Sequence, residues 1–313
     1  RALEHPARCG DRDGLRGDLM RALALGDVID DVLVFPVGSI RADTDTDAQI
    51  VRRPGGSAAN TAAWMVAAGM PTTFVGRVGA IDVDRHTALL AQVGVDARID
   101  GDPEHETGTI VLLVDGDERT MLTDRGANAF LDPDAIEDAL LASVDVVHLT
   151  GYALLSGHAG AVGRLVTRAH AAGATVSCTI GSAGSIADLG VETALDALRG
   201  VDVLVANLDE GALITGRTGA KPIGTALAAL APVVALTLGH AGVLVVDRGA
   251  MQFVPAVPAA LEDPTGAGDA FTAAFVAHVV QGADPVDAAR RGVELAAQAV
   301  SVRGARPLPP QSA

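Results

Sequence analysis

A seven-residue stretch near the C-terminal end, 263–269, combines two carboxylates with small residues in the order D-P-T-G-A-G-D. An apolar run at 270–280 follows and predicts a helix that begins in this stretch. The first turn of a helix has unpaired backbone N–H groups and the positive end of the helix dipole, and glycines let that backbone approach a ligand closely. The stretch therefore predicts an anion site, with Asp269 placed to accept a proton from a neighbouring hydroxyl. The chemistry indicated is phosphoryl transfer to an alcohol.

A second glycine-rich motif, G-G-S-A-A-N at 55–60, lies far upstream. Ser57 predicts the N-cap of the helix that follows. The backbone N–H groups of Gly55 and Gly56 can face hydroxyl groups, and the amide of Asn60 can both donate and accept hydrogen bonds. The motif predicts contacts to an acceptor molecule, while a plain turn and cap with Asn60 in solvent fits the same residues.

The two motifs, in this order, resemble those of the PfkB-type carbohydrate kinases, also called the ribokinase-like family, over about residues 21–307. The resemblance implies a catalytic base, an anion hole of backbone N–H groups and a set of sugar contacts. These roles fall in turn on Asp269; on Gly266, Ala267 and Gly268; and on Gly55, Gly56 and Asn60.

The same resemblance implies a nucleotide side. The N-x-x-E element at Asn207 and Glu210 follows an apolar run, and the family holds Mg²⁺ with these residues, largely through water. An ordinary helix cap with Glu at its third position fits the pattern too. The loop T-L-G-x-x-G implies nucleotide contacts at Thr237, Gly239 and Gly242, for which a plain β-turn is the alternative. The cofactors implied are ATP and Mg²⁺.

Three further residues are candidates for the site. Asp31 matches the family's acidic ligand for two sugar hydroxyls, with the adjacent Asp30 as its rival. Arg125 stands in R-G-A-N and could contact an anionic group, although a surface ion pair is as consistent with its position. Asp263 is a candidate ligand for a monovalent cation such as K⁺, which some relatives bind beside the anion hole.

Composition limits the classes of protein that fit. The chain has 313 residues and 49% hydrophobic residues, enough for one large α/β domain, which we place at 20–313. A formal net charge of -16 argues against a nucleic-acid surface. The two cysteines have no metal-ligand spacing, and no apolar run approaches the roughly 20 residues of a membrane helix, so a cytoplasmic protein is expected. Residues 1–19 are interpreted as an N-terminal extension, poorly ordered or added for expression.

Strands and helices alternate regularly after Asn128, including helices predicted at 133–142 and 186–198. Such alternation, with apolar strands, predicts a mostly parallel sheet covered on both faces, and the family resemblance implies a three-layer α/β/α fold. Ligands gather at the carboxyl ends of the strands in sheets of this kind.

Two segments depart from that rhythm, at about 37–53 and 108–124. The second predicts a hairpin around residues 116–117. Together they predict a small β-sheet apart from the main body. In the resembled family such a sheet is a lid over the sugar and often a dimer surface, so a homodimer through the lid is expected.

The predicted function is ATP-dependent phosphorylation of a primary hydroxyl of a small sugar or sugar acid. A nucleoside kinase is the nearest alternative, because G-G-S-x-x-N also occurs in that branch. A non-catalytic sugar-binding regulator and a nicotinamide-dependent oxidoreductase belong to other classes. The oxidoreductase is disfavoured because Phe271 replaces the third glycine of G-x-G-x-x-G.

The chain also departs from ribokinases proper. Ser57 stands where they often have Lys, and Pro264 where the family usually has Thr. The segment 148–152, H-L-T-G-Y, lacks their acidic sugar ligand. These differences weaken ribose as the expected substrate.

Overall fold

The computed structural model describes residues 19–115, 118–155 and 159–309. The predicted N-terminal extension, apart from residue 19, lies outside the described residues, as does the predicted hairpin turn at 116–117. The last four residues of the predicted domain also lie outside them.

The larger sheet has nine strands in the order β13-β12-β11-β10-β9-β8-β1-β4-β5. All neighbours from β11 to β5 run parallel, while β12 and β13 are antiparallel additions at one edge. The strands are β1 Ala22–Leu25, β4 Thr72–Gly79, β5 Asp96–Asp102, β8 Val146–Thr150, β9 Thr175–Thr179, β10 Val203–Asn207, β11 Val233–Thr237, β12 Gly242–Asp247 and β13 Ala250–Pro255.

The central strand β1 shows why this sheet lies in the core. All four of its residues are buried. Leu23 and Leu25 pack into the hydrophobic cluster on one face of the sheet, and Ala22 and Ala24 pack on the other face. A strand that buries both faces needs apolar residues at consecutive positions, which is the pattern that predicted a parallel sheet.

Helices cover both faces of this sheet. Helices α1 Ser57–Ala67, α2 Val83–Ala91, α9 Ala267–Val280 and α10 Pro285–Val300 pack on one face. The other face carries α3 Asp138–Leu141, α4 Ala159–Ala171, α5 Ala183–Leu189, α6 Val191–Ala197, α7 Leu208–Thr215 and α8 Ala220–Leu227. The predicted three-layer fold is confirmed. No helix among the described residues is both long and apolar enough to cross a membrane.

A separate four-stranded sheet, which we call the lid, has the order β3-β2-β6-β7. Its strands are β2 Ile29–Pro36, β3 Ala48–Gly55, β6 Thr109–Asp115 and β7 Glu118–Asp124. The predicted bounds of 37–53 were wrong at their start, because residues 37–47 form bends and turns and β2 is a lid strand. The side chains of the V-L-V-F run in β2 are half-buried on both faces of the lid. Its sequence is therefore continuously apolar, like that of a core strand.

The structure also corrects two predicted helices and adds one strand. The helix predicted at 186–198 is two helices, because Gly190 has φ 93° between them. The helix predicted at 133–142 is a single 3₁₀ turn followed by α3, since Ile136 has an extended backbone. The edge strand β5 was not predicted; its D-A-R-I-D-G-D sequence exposes every second residue and lacks a continuous apolar run.

Candidate active site

A cleft of about 230 Å³ lies between the lid and the carboxyl ends of the main strands. The body contributes Asp27, just after β1, and Asp269 on α9. The lid contributes Asp31 together with the apolar residues Ile110 and Leu112. With Asp124, the last residue of β7, four carboxylates therefore face one space that the lid partly closes.

Asp269 lies in the first turn of α9, and its carboxylate accepts hydrogen bonds from three side chains of α1. The Ser57 hydroxyl donates at 2.7 Å, the Asn60 amide Nδ2 at 3.2 Å and the Thr61 hydroxyl at 3.5 Å. Positions 57, 60 and 61 share one face of a helix, so α1 presents all three together. Burial raises the pKa of Asp269 to about 7, a value suited to a general base near neutral pH.

The predicted N-cap role of Ser57 was wrong. Gly56 is the N-cap of α1, and Ser57 is the first helical residue. The carboxylate of Asp27 takes over the cap by accepting from the backbone N–H of Ser57 at 2.7 Å and of Ala58 at 3.1 Å. The hydroxyl of Ser57 is thereby left to donate to Asp269.

Asp27 was missed by sequence reasoning. It lines the cleft and also accepts a hydrogen bond from the Thr150 hydroxyl at 3.1 Å. Burial raises its pKa. A carboxylate directly after a buried strand at the ligand-binding end of the sheet was the available signal.

The predicted anion turn forms the start of α9. Gly266 is its N-cap with φ 82°, and a Cβ there would lie 2.4 Å from the carbonyl oxygen of Ala305. Only glycine satisfies both the left-handed backbone and this close approach. Ala267 and Gly268 then occupy the first turn, where backbone N–H groups are unpaired within the helix.

Asp263 is engaged by donors of the chain itself. Its carboxylate forms an ion pair with Arg53 of the lid at 2.9 Å and accepts from the backbone N–H of Thr265 at 3.0 Å and of Gly304 at 3.2 Å. Three protein donors leave little of its coordinating capacity for a cation. These contacts brace the lid, the anion turn and the C-terminal loop against one another, and the role of Asp263 as a monovalent-cation ligand stays a prediction.

The two acidic rivals on β2 face different partners. Asp31 lines the cleft, and burial raises its pKa to about 6. A Cβ on Gly55 would lie 2.4 Å from the carboxylate of Asp31, so the glycine lets the lid strands approach each other. Asp30 instead accepts two hydrogen bonds from Arg85, at 2.8 and 2.6 Å. Only Asp31 of the pair is placed to meet a ligand in the cleft.

Two other predicted acceptor residues, Gly56 and Arg125, line the same cleft. The guanidinium carbon of Arg125 lies 5.8 Å from the ring centroid of Tyr152, which also lines it. The structure thus places a cation, an aromatic ring and the backbone of a glycine beside the four carboxylates.

The predicted nucleotide residues meet at the ends of neighbouring strands, where Asn207 of β10 pairs with Thr237 of β11. Asn207 and Glu210 form a capping box: Asn207 Oδ1 accepts from the Glu210 N–H at 2.9 Å, and the Glu210 carboxylate accepts from the Asn207 N–H at 2.9 Å. Glu210 is 3% exposed, and burial raises its pKa to about 7.

These residues fit a weakly held magnesium ion. They offer the oxygen ligands that Mg²⁺ prefers, at the ligand-binding end of the sheet. Within the described ranges, no three His, Cys, Asp or Glu residues cluster as a metal cage. The donor set thus suits an ion that keeps most of its waters.

The loop after β11 is open to solvent. The Thr237 hydroxyl donates to the Ala206 carbonyl at 3.3 Å, and Gly239–Ala241 forms an exposed 3₁₀ turn. Gly242 begins β12 with φ 127°, where a side chain would be strained. Thr237 thus ends the strand next to β10, and Gly239 lies in the loop that follows; their nucleotide contacts stay a prediction.

Arg306, in the loop after α10, was also missed. Its Nε donates to Asn60 Oδ1 at 3.0 Å and its Nη2 to the Gly55 carbonyl at 2.8 Å. Both atoms of the Asn60 amide are therefore engaged, which excludes the solvent-facing alternative for this residue. Nothing local in the sequence signals the contact, because 246 residues separate the two side chains.

A three-layer α/β/α body with a β-sheet lid over a carboxylate-lined cleft defines a ribokinase-like fold. The model of the pfkB family of carbohydrate kinases matches residues 21–312. The chain belongs to this family, as the two glycine motifs predicted, and it is a carbohydrate kinase.

Relatives agree on the family but differ in substrate. The 2-dehydro-3-deoxygluconokinase of Thermoproteus tenax is 33% identical over 263 residues, 80% of this chain and 80% of the relative. The structure of adenosine kinase from Sinorhizobium meliloti matches with a TM-score of 0.81 and 25% identity over 92% of this chain and 96% of the other. Arabidopsis thaliana ribokinase complexed with ribose and ATP matches with a TM-score of 0.76 and 25% identity, covering 92% and 94%.

Proposed function

We propose that this protein transfers the γ-phosphoryl group of ATP to a primary hydroxyl of a small sugar or sugar acid. One observation carries the proposal: the half-buried carboxylate of Asp269 faces a ligand-sized cleft from the first turn of a helix. The proposed base, Asp269, therefore lies three residues after Gly266, the N-cap of the anion turn. Phosphoryl transfer to an alcohol needs both groups at one place.

The reaction follows from these positions. The acceptor hydroxyl oxygen forms a bond to the γ-phosphorus while the bond from that phosphorus to the β,γ-bridging oxygen breaks, and ADP leaves. The hydroxyl proton passes to Asp269, whose orientation is fixed by the donors of α1. Backbone N–H groups of Gly266, Ala267 and Gly268 stabilise charge on the transferred group.

Other residues are proposed to bind Mg²⁺ and the nucleotide. Asn207 and Glu210 would hold Mg²⁺, largely through water, and the ion would supply positive charge that offsets the nucleotide phosphates. Thr237, Gly239 and Gly242 border the nucleotide.

The acceptor is bound by residues from both sheets. Asp31 accepts hydrogen bonds from sugar hydroxyls, and the backbone at Gly55 and Gly56 sets how closely the sugar approaches α1. Arg125 provides a cation in the cleft for the carboxylate of a sugar acid. The 2-dehydro-3-deoxygluconokinase relative makes a sugar acid the first substrate to test.

A nucleoside acceptor is the second candidate, favoured by the similarity to an adenosine kinase structure. The aromatic ring of Tyr152 in the cleft offers a surface on which a base can stack. Membership of a kinase family argues against the two alternatives from other classes, the sugar-binding regulator and the nicotinamide-dependent oxidoreductase.

A panel of acceptors tests the proposal. ADP release is measured with ATP, Mg²⁺ and ribose, fructose, 2-dehydro-3-deoxygluconate or adenosine, and phosphorus NMR of the product locates the new ester. The expected result is turnover on one sugar or sugar acid, with the Asp269→Asn variant as the inactive control. Turnover on adenosine alone would select the second candidate, and ADP release that persists in the control would contradict the catalytic role of Asp269.

We further propose that two copies of the chain pair through the outer face of the lid. Strand register places Ile50, Val34, Leu113, Val111 and Leu122 on the face opposite Asp31 and Ile110. The side chains of Ile50 and Leu122 are 60% and 57% exposed. Exposed apolar patches of this kind mark interaction surfaces, and a second copy covers the same patch on its partner by two-fold symmetry.

Light scattering after gel filtration tests the pairing. The expected result is a dimeric mass for the parent chain and a monomeric mass for Leu122→Glu. The matched control is Ile81→Glu, because Ile81 is 88% exposed on the body and lies outside the lid. A monomeric parent, or an Ile81→Glu variant that dissociates equally, would contradict the lid interface.

A further inference from the structure

The loop that follows α10 inserts between the elements of the active site. The carbonyl oxygen of Ala305 accepts a hydrogen bond from the Trp64 indole N–H at 2.8 Å and touches the anion turn at Gly266. The next residue, Arg306, reaches α1 and the end of β3 through Asn60 and the Gly55 carbonyl. One short segment therefore contacts three parts of the site. These are the anion turn, helix α1, whose side chains donate to Asp269, and the end of lid strand β3.

The contact with Arg306 fixes which way the Asn60 amide points. A guanidinium can only donate hydrogen bonds, so the amide atom facing it must be the oxygen. The amide nitrogen then faces Asp269, to which it donates at 3.2 Å. With Arg306 absent, nothing else among the hydrogen bonds of the described residues holds Asn60 Oδ1, and a flipped amide would turn its oxygen toward the carboxylate.

Charge acts in the same direction. Arg306 is a cation beside Asp31, Asp269, Asp27 and Asp30, and although burial lowers its pKa to about 10, it stays protonated near neutral pH. Its Nη1 is buried with no hydrogen-bond partner in the described part of the chain. The guanidinium is thus held in place by two bonds and by surrounding carboxylates, at the cost of one unpaired donor.

We propose that Arg306 is a positioning residue, which orients Asn60 so that its amide nitrogen donates to the carboxylate of Asp269. The inference rests on the proposed role of Asp269 as the general base. Arg306 does not border the cleft and takes no part in the chemistry itself. Its effect reaches the reaction through Asn60 and through its charge.

Several groups determine the ionisation of Asp269. Burial raises its pKa to about 7, and the Asp27 carboxylate also raises it, while donors on α1 lower it. The Tyr152 phenol and Arg306 also interact with it, and the charged side chains of Asp31, Asp124 and Arg125 line the same cleft. Loss of Arg306 removes both a positive charge and a fixed donor, so the pKa of Asp269 is expected to rise.

The test is the pH dependence of kcat, measured for the parent, Arg306→Gln, Asn60→Ala and the double variant. Below the pKa of the base, each unit of upward shift lowers kcat about tenfold, and the loss disappears at high pH. The acid limb is the part of the pH profile in which kcat falls as the pH is lowered. We expect Arg306→Gln to move this limb to higher pH by about one pH unit. The shift should be clearly smaller when Asn60 is already Ala, because the orienting part of the effect is then absent.

Arg303→Gln is the matched control, since Arg303 lies in the same loop and its side chain is 77% exposed. Its acid limb should coincide with that of the parent. Arg306→Lys keeps the charge but not the two-pronged contact, and it should move the limb less than Arg306→Gln. If Arg306→Gln does not fold, the lysine variant decides alone: a moved limb supports the proposal, and an unmoved limb overturns it.

Other outcomes distinguish a failure of the positioning role of Arg306 from a failure of the catalytic role of Asp269. A rate reduced equally at every pH in Arg306→Gln means that the residue only supports the fold, and this overturns the inference. If Arg306→Gln moves the acid limb of kcat as far in the Asn60→Ala variant as in the parent, Arg306 does not act by orienting Asn60. An Asp269→Asn variant that keeps its activity instead removes the proposed function, whatever Arg306 does.

Discussion

The cleft around Asp269, which we call the acceptor end, and the predicted nucleotide site at the ends of β10 and β11, which we call the nucleotide end, are built in opposite ways. At the acceptor end, Ser57 and Asp269 are 212 residues apart in sequence and meet only because α1 packs on α9. At the nucleotide end, Asn207 and Glu210 are three residues apart and hold each other in one helical turn. The proposed base is therefore positioned by contacts between distant segments, and the metal-binding candidate by a local motif.

This difference has a physical consequence. Burial raises the pKa of both Asp269 and Glu210 to about 7, yet their partners differ. Asp269 accepts from side chains on a separate helix, α1, which hold its carboxylate at the cleft. Glu210 accepts from the backbone N–H and side chain of its own cap residue, so holding hydrated Mg²⁺ requires it to share or exchange these bonds.

Asp269→Asn should show the largest effect. The amide keeps the size of the side chain but cannot accept the hydroxyl proton, so we expect kcat to fall by about 10²–10⁴-fold. ATP binding, measured by calorimetry, and the melting temperature should stay near those of the parent. A variant within about tenfold of the parent rate, roughly 1.4 kcal/mol in the barrier, would show that another group takes the proton.

Glu210→Gln should have an intermediate effect that falls on the other end. Glutamine can still accept the backbone bond of the capping box, so α7 should remain folded. We expect the Mg²⁺ concentration for half-maximal rate to rise about 10–100-fold while the KM for the acceptor stays unchanged. Asp209→Asn is the control, because Asp209 is exposed in the same turn. An equal response of both variants to Mg²⁺ would remove Glu210 from the metal site.

The same contrast explains what the sequence could predict. The nucleotide motif and the anion turn were recognisable because their spacing is short and their geometry is helical. The α1 triad of Ser57, Asn60 and Thr61 was recognisable in principle, since positions separated by three and four residues share a helix face. Its target, Asp269, was assigned from the stretch 263–269 and from the family resemblance, and only the packing of α1 on α9 shows that the two meet.

Other features could not be predicted from local pattern. Arg306 acts across 246 residues, and an arginine in a terminal loop is usually a surface charge. The N-cap was assigned to Ser57 because serine is a common cap, whereas a tertiary contact with Asp27 caps α1 instead. The lid was predicted to begin at residue 37 and to exclude β2, because an apolar run gives no indication of which sheet it joins. In each case the deciding interaction joins segments that are distant in sequence.

Ser57→Ala should show the smallest of these effects. The substitution removes one of three donors to Asp269, so the pKa of the base should rise and the acid limb of kcat should move upward by about half a unit. The rate should fall about threefold below that pKa and recover at high pH. Ser57→Thr, which keeps a hydroxyl, should restore most of the difference. Because the serine lies only at the acceptor end, the Mg²⁺ requirement should not change, and a Mg²⁺ requirement that did change would mean that the two ends are coupled through α1.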